Sequence, residues 1–330
     1  MKGVGVFMKK PYVFITRKLP TQIVQALEDV AEVKMWDSEE VQVPREVLLE
    51  EAAKADALLT MLSDKVDEQL LSNAPNLKIV ANLAVGYDNI DIYTAANNGV
   101  VVTNTPDVLT DTTADLAFSL LLATARRIVE GAQYIKEGKW NSWSPFLLAG
   151  TDIHHKTIGI VGMGKIGQAV AKRASGFDME ILYHNRSRNT EAETELGAVY
   201  QSLEELLQKS DYIVCLTPLT EETKHLFGKE QFKMMKKPAI FINVGRGQVV
   251  VEEDLVEALK NGDIAGAGLD VFYQEPISNA HPLLELPQVV AIPHIGSASV
   301  ETRTEMMELC CKNIKDKLTG KEVKSILPNK

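Results

Sequence analysis

The chain alternates short apolar runs rich in β-branched residues with longer stretches whose apolar positions recur at helical spacing. The short runs are continuously apolar, which is typical of strands that helices cover on both faces of a sheet. Strands that alternate with helices predict βαβ units and therefore an α/β fold with doubly wound parallel sheets. The predicted strands cover residues 12–16, 57–61, 78–83, 100–104, 157–162, 180–184, 212–216, 239–243, 268–272 and 289–293.

A long helix, predicted to begin around Thr110 and to include the apolar stretch 114–125, separates the first four strands from the other six. Polar residues just before it can cap its first turn, and apolar side chains on several faces favour packing between domains or subunits. At roughly 150 residues per domain, the length predicts two domains. If the last helix, over residues 300–318, folds back onto the first domain, the second domain is inserted into it. The predicted domains are 1–102 together with 299–330, and 103–298.

The charge balance narrows the range of partners, because 45 acidic and 35 basic residues give a net charge of −10. Such a chain, without a long Lys/Arg block, is a poor match for nucleic acid or an anionic membrane. The start, MKGVGVFMKK, predicts no signal peptide, and the longest apolar helical stretch is too short to span a bilayer. Three cysteines, Cys215, Cys310 and Cys311, form no disulfide framework, which favours a reducing, cytoplasmic compartment.

A glycine-rich turn follows the strand KTIGIVG and opens a helical stretch, QAVAKRA. It matches G-x-G-x-x-G in full, in the strand–turn–helix context that dinucleotide binding requires. The first glycine allows a tight turn, the second lets backbone N–H groups approach a pyrophosphate, and the third lets helix and strand pack closely. The alternative is a glycine-rich turn without a ligand. The predicted phosphate-binding residues are Gly162, Met163, Gly164, Lys165, Ile166 and Gly167.

The end of the next strand bears on the choice between NAD and NADP. An NAD-selective site places a carboxylate there for the ribose 2′-hydroxyl, but this chain has Asn185 at that position. Arg186 and Arg188, with the hydroxyl of Ser187 between them, are suited to a 2′-phosphate dianion. The alternative is that both arginines are solvated surface charges. The sequence therefore predicts that NADP(H) is preferred and that NAD(H) use is possible.

Three polar residues follow three later predicted strands: Arg246 in FINVGRG, Glu275 in GLDVFYQEP and His294 in VVAIPHIGSAS. Carboxyl ends of parallel strands meet in one crevice, so these residues can converge. Reduction of a 2-oxo acid needs a cation for the carboxylate and a proton donor for the developing alkoxide. Arg246 suits the first role, His294 suits the second, and Glu275 would orient the imidazole. Each motif alone is commonplace, so spacing leaves open whether they form a site.

The other histidines are weaker candidates. His154 and His155 lack a third ligand at metal spacing, so no metal site is predicted. His184 lies beside the adenosine end of the predicted cofactor site, whereas His225 and His281 lie in connecting segments.

With these motifs in place, the sequence resembles the D-isomer-specific 2-hydroxyacid dehydrogenase family nearly end to end. The likeness rests on NLAVGYDNID, VVTNTPDVLTDTTADLAFSLLLATARR, KTIGIVGMGKIG, DYIVCLTPLTEET, FINVGRG, GLDVFYQEP and PHIGSAS. Within the family, the ANLAVGYDNID loop and the Trp140/Trp143 segment look most like those of glyoxylate/hydroxypyruvate reductases and 2-ketogluconate reductases. The departure from the family pattern is 185–188, where the acidic ribose-binding residue is missing.

The resemblance implies a Rossmann-type cofactor domain inserted into a flavodoxin-like substrate domain, and a homodimer formed through the helix that starts near Thr110. It implies that Arg246 binds substrate, that Glu275 supports His294, and that His294 donates the proton. It also implies that the backbone N–H groups of Val85 and Gly86 bind the substrate carboxylate. The further cofactor-lining residues that it implies are Thr217, Pro218, Val244, Gly245, Asp270 and Gly296, with Asp270 near the nicotinamide amide.

The sequence thus predicts an NADPH-preferring reductase that converts glyoxylate, hydroxypyruvate or 2-keto-D-gluconate to D-2-hydroxy acids. One alternative is a dinucleotide-sensing, co-repressor-like binding protein of the same fold, against which the complete trio and acidic surface count. A dehydrogenase of phosphorylated serine precursors would be expected to carry a further regulatory domain, for which the sequence after the last helix leaves no room. Trp140 and Trp143 could be core residues or pocket wall, and core packing is favoured.

Overall fold

The computed structural model describes residues 10–328, so most of the N-terminal stretch used for the signal-peptide prediction lies outside the described residues. The chain divides into two compact units: residues up to Leu109 together with those from Ser299 on, and Thr110–Ala298. The first break therefore falls after Leu109 rather than after residue 102. The reason is that strand β5 (Val101–Thr103) pairs with β4 (Ile79–Asn82), which keeps this stretch in the first sheet.

The first unit is built on a five-stranded parallel sheet of order β2-β1-β3-β4-β5, which is the flavodoxin-like order. This sheet has two hydrophobic clusters, and successive side chains of strand β1 alternate between them. Phe14 packs in one cluster, whereas Val13 and Ile15 pack in the second. The remaining strands are β1 (Tyr12–Ile15), β2 (Glu32–Met35) and β3 (Ala57–Thr60), and the helices are α1 (Thr21–Glu28), α2 (Arg45–Ala52), α3 (Glu68–Ser72), α4 (Ile92–Asn97) and α12 (Val300–Leu318).

The C-terminal helix α12 belongs to the first unit. It packs on α1, β3 and β4, and its Cys310, Cys311 and Ile314 are buried in the same cluster as Val13 and Ile15. The second unit is therefore inserted between β5 and α12 along the chain.

The second unit is built on a seven-stranded parallel sheet of order β12-β11-β10-β9-β6-β7-β8. Counted from its own first strand, six of the strands follow the Rossmann order 3-2-1-4-5-6. The strands are β6 (Thr157–Val161), β7 (Glu180–His184), β8 (Val199–Tyr200), β9 (Tyr212–Cys215), β10 (Ile240–Asn243), β11 (Gly266–Leu269) and β12 (Val289–Ala291). The helices are α5 (Thr110–Ala125), α6 (Ile128–Lys136), α7 (Lys165–Ser175), α8 (Thr190–Leu196), α9 (Leu203–Lys209), α10 (Lys229–Met234) and α11 (Glu252–Asn261).

The prediction of an α/β fold with two parallel sheets is confirmed, but three strand predictions differ from the structure. Strands β2 and β8 were not predicted, because both are edge strands with exposed positions and lack a continuous apolar run. The strand predicted over 268–272 ends at Leu269. Val271 and Phe272 are apolar because they are buried in the loop that follows, not because they pair in the sheet.

Helix α5 has buried residues on several faces, which are covered within the second unit by α7, β10 and β11. Trp140 and Trp143 are 59% and 80% exposed, so the expectation that they pack in a core is wrong. None of the helices within residues 10–328 combines the length and the apolarity that a membrane span requires.

Candidate active site

The candidate residues of the second unit lie in loops at one edge of its sheet. All seven strands are parallel, so the loops after β6, β7, β9, β10, β11 and β12 emerge at the same edge. The order of the strands reverses between β6 and β9, and ligands of open α/β sheets bind at such a switch point. The glycine loop follows β6 and Thr217–Pro218 follows β9, so the two flank this point.

The three glycines of the loop have distinct structural roles. Gly162 has φ +107°, and a Cβ there would lie 2.8 Å from the backbone of Leu216. A Cβ at Gly167 would lie 2.2 Å from the carbonyl oxygen of Gly162, so helix α7 can approach β6 only with glycine at this position. A Cβ at Gly164 would meet no described atom within 4 Å, so the space beside this residue is open. Open space beside the middle glycine is what the approach of a pyrophosphate requires.

Helix α7 begins directly after this open space. Gly164 is its N-cap and has no side chain with which to satisfy the N–H groups of the first turn. These N–H groups and the helix dipole favour an anion. Lys165 and Ile166 are the first two residues of this turn, and Met163 is buried in the core below it. The residues present therefore fit the pyrophosphate of a dinucleotide.

The loop after β7 is fastened to the glycine loop by two asparagines. The N–H of Met163 donates to Oδ1 of Asn185 at 2.7 Å, and Nδ2 of Asn189 donates to the carbonyl of Met163 at 2.9 Å. Asn185, at the position where an NAD-selective site places a carboxylate, thus orients the phosphate loop.

The two arginines of this loop differ in their surroundings. Arg188 donates twice to the carboxylate of Glu193, at 2.9 and 2.7 Å, and its guanidinium lies 5.8 Å from the centre of the Tyr200 ring. The hydrogen bond and charge of Arg188 lower the pKa of Glu193. Arg186 and Ser187 are exposed, and within residues 10–328 Arg186 makes no hydrogen bond or ion pair.

His294 and Glu275 come together although they follow different strands. Nδ1 of His294 lies 2.7 Å from Oε2 of Glu275, and the two side chains are 29% and 35% exposed. A carboxylate only accepts, so Nδ1 carries the hydrogen of this bond and Nε2 is left for a substrate. Burial acts to raise the pKa of Glu275, but the hydrogen bond and charge of His294 and the N–H of Phe272 outweigh it, so the pKa is lowered. Glu275 therefore remains a carboxylate that holds the imidazole in one orientation.

The loop carrying Arg246 packs against the loop that leads to Glu275. A Cβ at Gly247 would lie 1.8 Å from the backbone carbonyl carbon of Phe272, so the contact requires glycine. Arg246 is half-buried, its Nη1 donates to the carbonyl of Gly245 at 2.9 Å, and its charge contributes to the low pKa of Glu275. The structure therefore packs the loop of Arg246 against the loop that leads to Glu275 within one unit, near enough for the charge of Arg246 to act on Glu275.

Asp270 fixes the backbone that follows His294. Its two carboxylate oxygens accept from the N–H groups of Ile295 and Gly296, at 2.6 and 2.9 Å. His294 itself has φ +51°, a left-handed conformation that costs a non-glycine residue about 1 kcal/mol or more. Burial raises the pKa of Asp270 to about 6, against the lowering effect of both hydrogen bonds and of nearby His294. Its two hydrogen bonds thus hold the chain in the conformation that positions His294.

The sequence did not identify Asn243, which organises the loop after β10. This side chain is 1% exposed; its Oδ1 accepts from the N–H of Gly245 and its Nδ2 donates to the carbonyl of Arg246. The sequence signal is an asparagine that ends a continuous apolar strand. Val244 and Gly245 lie in this loop, where a Cβ at Gly245 would lie 2.7 Å from the carbonyl oxygen of Thr217.

Val85 and Gly86 lie in the first unit, in the loop after β4. The carbonyl of Val85 accepts from Nδ2 of Asn104 at 2.8 Å, and that of Gly86 accepts from Nδ2 of Asn82 at 3.0 Å. Within residues 10–328, the N–H groups of Val85 and Gly86 donate to no protein acceptor. Two neighbouring, partly buried N–H groups of this kind can bind a carboxylate.

The remaining histidines lie outside these loops or have structural partners. His154 and His155 are exposed neighbours with their Nδ1 atoms 2.9 Å apart, and His281 pairs with Glu252 at 3.3 Å. No group of three or more metal-binding side chains occurs in the described part of the chain.

Comparison with known proteins places this site in a family. Residues 118–296 match the family model described as D-isomer specific 2-hydroxyacid dehydrogenase, NAD binding domain. The chain belongs to the D-isomer specific 2-hydroxyacid dehydrogenase family. As a member, it is an oxidoreductase that uses a nicotinamide dinucleotide, which agrees with the fit of the glycine loop to a pyrophosphate.

Whole-chain relatives support the assignment. The chain is 54% identical to a glyoxylate reductase of Pyrococcus horikoshii over 309 aligned residues. The aligned region covers 92% of each chain. It is 52% identical to a glyoxylate reductase of Pyrococcus furiosus, over 92% of this chain and 91% of the relative. Among solved structures, the NADPH-dependent glyoxylate/hydroxypyruvate reductase of Sinorhizobium meliloti, in complex with NADP and malonate, superimposes with a TM-score of 0.82. It has 33% identity over 96% of each chain.

Proposed function

We propose that the protein is an NADPH-preferring reductase of small 2-oxo acids, which yields D-2-hydroxy acids. The substrates that we propose are glyoxylate, hydroxypyruvate and 2-keto-D-gluconate. The hydrogen bond between His294 and Glu275 carries the proposal, because it holds an imidazole in one orientation on a carboxylate whose pKa the charge of Arg246 also lowers. Relatives named glyoxylate reductase, at 54% and 52% identity, support the choice of substrate.

In this proposal, a bound reduced nicotinamide supplies the hydride. The residues of the chain do the rest. Arg246 binds the substrate carboxylate in a forked geometry and polarises the carbonyl oxygen. His294 donates the proton from Nε2 to the developing alkoxide, while Glu275 accepts from Nδ1–H and stabilises the charged imidazolium before transfer. The N–H groups of Val85 and Gly86 bind the substrate carboxylate.

The test is turnover of the three 2-oxo acids with NADPH, followed by the absorbance of the reduced nicotinamide. We expect reduction of glyoxylate, with the D-isomer formed wherever the product is chiral. Failure to reduce any of the three acids by a protein that binds NADPH would contradict the proposal.

We expect kcat/KM to be higher with NADPH than with NADH, since a 2′-phosphate can bind Arg186 and Ser187. Arg188 should contribute less to binding of the phosphate, because its guanidinium is already hydrogen-bonded to the carboxylate of Glu193. Arg186→Ala should therefore lower kcat/KM with NADPH by about tenfold, the loss of one charge-assisted hydrogen bond. Steady-state kinetics with both cofactors measures this.

NADH is the matched control for Arg186→Ala because it lacks only the phosphate. An equal loss with NADH, or wild-type kcat/KM that is as high with NADH as with NADPH, would count against the proposed phosphate site.

We also propose a cytoplasmic homodimer. The three cysteines are free and buried, as is usual in reducing compartments. Apolar side chains of one continuous segment are uncovered in the chain by itself, and a second copy could cover them. They are Ile128, Val129, Ile135, Trp140, Trp143 and Phe146, each more than half exposed. The segment continues directly from α5, whose own apolar faces are covered within its unit.

Trp143→Ser combined with Phe146→Ser should convert this dimer to a monomer, since the two side chains are 80% and 86% exposed and can lose no core packing. Sedimentation velocity of the full chain measures the change. Tyr93→Ser, at another exposed aromatic residue, is the control and should leave the dimer intact. A wild-type monomer at micromolar concentration would refute the dimer.

A further inference from the structure

Three consecutive carbonyl groups in the loop after β4 accept hydrogen bonds from the protein. The carbonyl of Ala84 accepts from the backbone N–H of Thr105 at 2.8 Å. The carbonyls of Val85 and Gly86 accept from the side-chain amides of Asn104 and Asn82, at 2.8 and 3.0 Å. All three carbonyl oxygens are therefore fixed by groups at the ends of β4 and β5.

Because peptide groups are planar, a contact that holds a carbonyl also fixes the direction of the N–H group of the next residue. In a planar trans peptide, the carbonyl of one residue and the N–H of the next point in opposite directions. Asn104, by holding the carbonyl of Val85, therefore fixes the direction of the N–H of Gly86. Thr105 fixes the N–H of Val85 in the same way, and Asn82 fixes that of Tyr87. Within the described part of the chain, these three N–H groups donate no hydrogen bond.

The amide of Asn82 is itself locked. Its Oδ1 accepts from the hydroxyl of Thr60 at 3.0 Å and from Nδ2 of Asn89 at 3.3 Å. Asn89 also donates to the carbonyls of Met61 and Asp64, which ties the network to the loop after β3. Asn82 and Thr60 are fully buried, so water does not compete for these bonds.

The contacts of Asn82 and Asn104 with the loop need a donor at the end of each side chain. A carbonyl oxygen can only accept, so each carbonyl of the loop requires a donor facing it. A carboxylate at position 104 would face the carbonyl of Val85 with a second acceptor, and an aliphatic residue would leave that carbonyl without its partner. The amides therefore do more than fill space beneath the loop.

We propose that Asn104 and Asn82 are positioning residues for substrate. They orient the peptide groups of the loop so that the N–H groups of Val85 and Gly86 converge on the substrate carboxylate. This inference rests on the proposed function, because it takes the ligand of the loop to be a 2-oxo acid. Asn104 is the residue to test, since it is only half-buried whereas Asn82 is fully buried.

The variant is Asn104→Leu, which keeps the branching and the number of side-chain heavy atoms but has no hydrogen-bond donor. We expect KM for glyoxylate to rise about tenfold, equivalent to about 1.4 kcal/mol, with kcat within about twofold of wild type. A loss of carboxylate binding that is equal in the ground and transition states has this signature. The dissociation constant of NADPH should not change. A KM that stays at the wild-type value in a folded variant would overturn the inference.

A second measurement separates this inference from the proposed function. Binding of oxalate to the NADPH-loaded protein, by calorimetry, reports on the carboxylate site without turnover. We expect Asn104→Leu to weaken oxalate binding about tenfold even if glyoxylate is not the substrate. Unchanged affinity in the variant, or failure of the wild type to bind oxalate, would overturn the inference. Failure to reduce any 2-oxo acid while oxalate binds would overturn the proposed function alone.

Two variants keep these results interpretable. Asn97→Leu, at an exposed position of α4 in the same unit, is the matched control and should change neither KM nor oxalate affinity. If Asn104→Leu does not fold, Asn104→Ala removes the same donor without adding bulk, and the same outcomes decide.

Discussion

Replacing His294 with glutamine should lower kcat by about a hundred- to ten-thousandfold, the usual contribution of a positioned general acid. Glutamine resembles the imidazole in size and polarity, and its amide can still bond to Glu275. It has no acidic proton at neutral pH, so the developing alkoxide would have to take its proton from water. The dissociation constant of NADPH should stay within about twofold of wild type, because His294 contributes no group to the glycine loop.

Steady-state kinetics and fluorescence titration with NADPH measure the two quantities for His294→Gln. His154→Gln is a matched control, since that imidazole is 62% exposed and lies outside the loops of the site. A kcat equal to that of the wild type would remove His294 from the role of proton donor. A parallel loss of NADPH binding would indicate that the substitution disturbs the loop fixed by Asp270 rather than proton transfer.

The glycine loop shows why one part of the site was predictable from the sequence. Each glycine is needed for a local reason: the positive φ at Gly162, the open space beside Gly164 and the close packing at Gly167. These requirements involve only a strand and the helix next to it along the chain. A motif of this kind can therefore be recognised from a short stretch of sequence alone.

The arrangement of His294, Glu275 and Arg246 depends on the order of the strands, which a sequence pattern does not state. The parallel βαβ pattern predicted that the three loops share one edge of the sheet. The contact itself needs β10, β11 and β12 to be neighbours, and it needs Gly247 to let the Arg246 loop approach Phe272. The tripeptide Gly-Arg-Gly alone does not predict that this loop contacts Phe272.

The partners of individual side chains were the least predictable. Arg188 was predicted to be available for a 2′-phosphate, yet Glu193, five residues further on, forms two hydrogen bonds with it. Asn82, Asn104 and Asn243 were not identified because an asparagine after an apolar run resembles an ordinary end of a strand. Their importance comes from carbonyls and N–H groups of loops that fold back on them.

Replacing Arg246 with alanine should lower kcat/KM for glyoxylate by about a hundred- to a thousandfold, because a forked guanidinium makes two charge-assisted hydrogen bonds to a carboxylate. Arg246 is half-buried beside the His294–Glu275 pair, where solvent screens the interaction less than at the surface. Lysine keeps the charge but not the fork, so Arg246→Lys should recover only part of the loss. Steady-state kinetics with glyoxylate and NADPH measures both variants.

Arg246→Ala differs from His294→Gln in how the loss divides between the two kinetic constants. The guanidinium binds the carboxylate in the ground state and polarises the carbonyl in the transition state, so KM should rise and kcat should fall. Added guanidinium ion should restore part of the activity of Arg246→Ala and none of that of His294→Gln. Arg126→Lys, at an exposed position, is the control for Arg246→Lys and should behave as the wild type. A wild-type KM in folded Arg246→Ala would remove Arg246 from the role of carboxylate ligand.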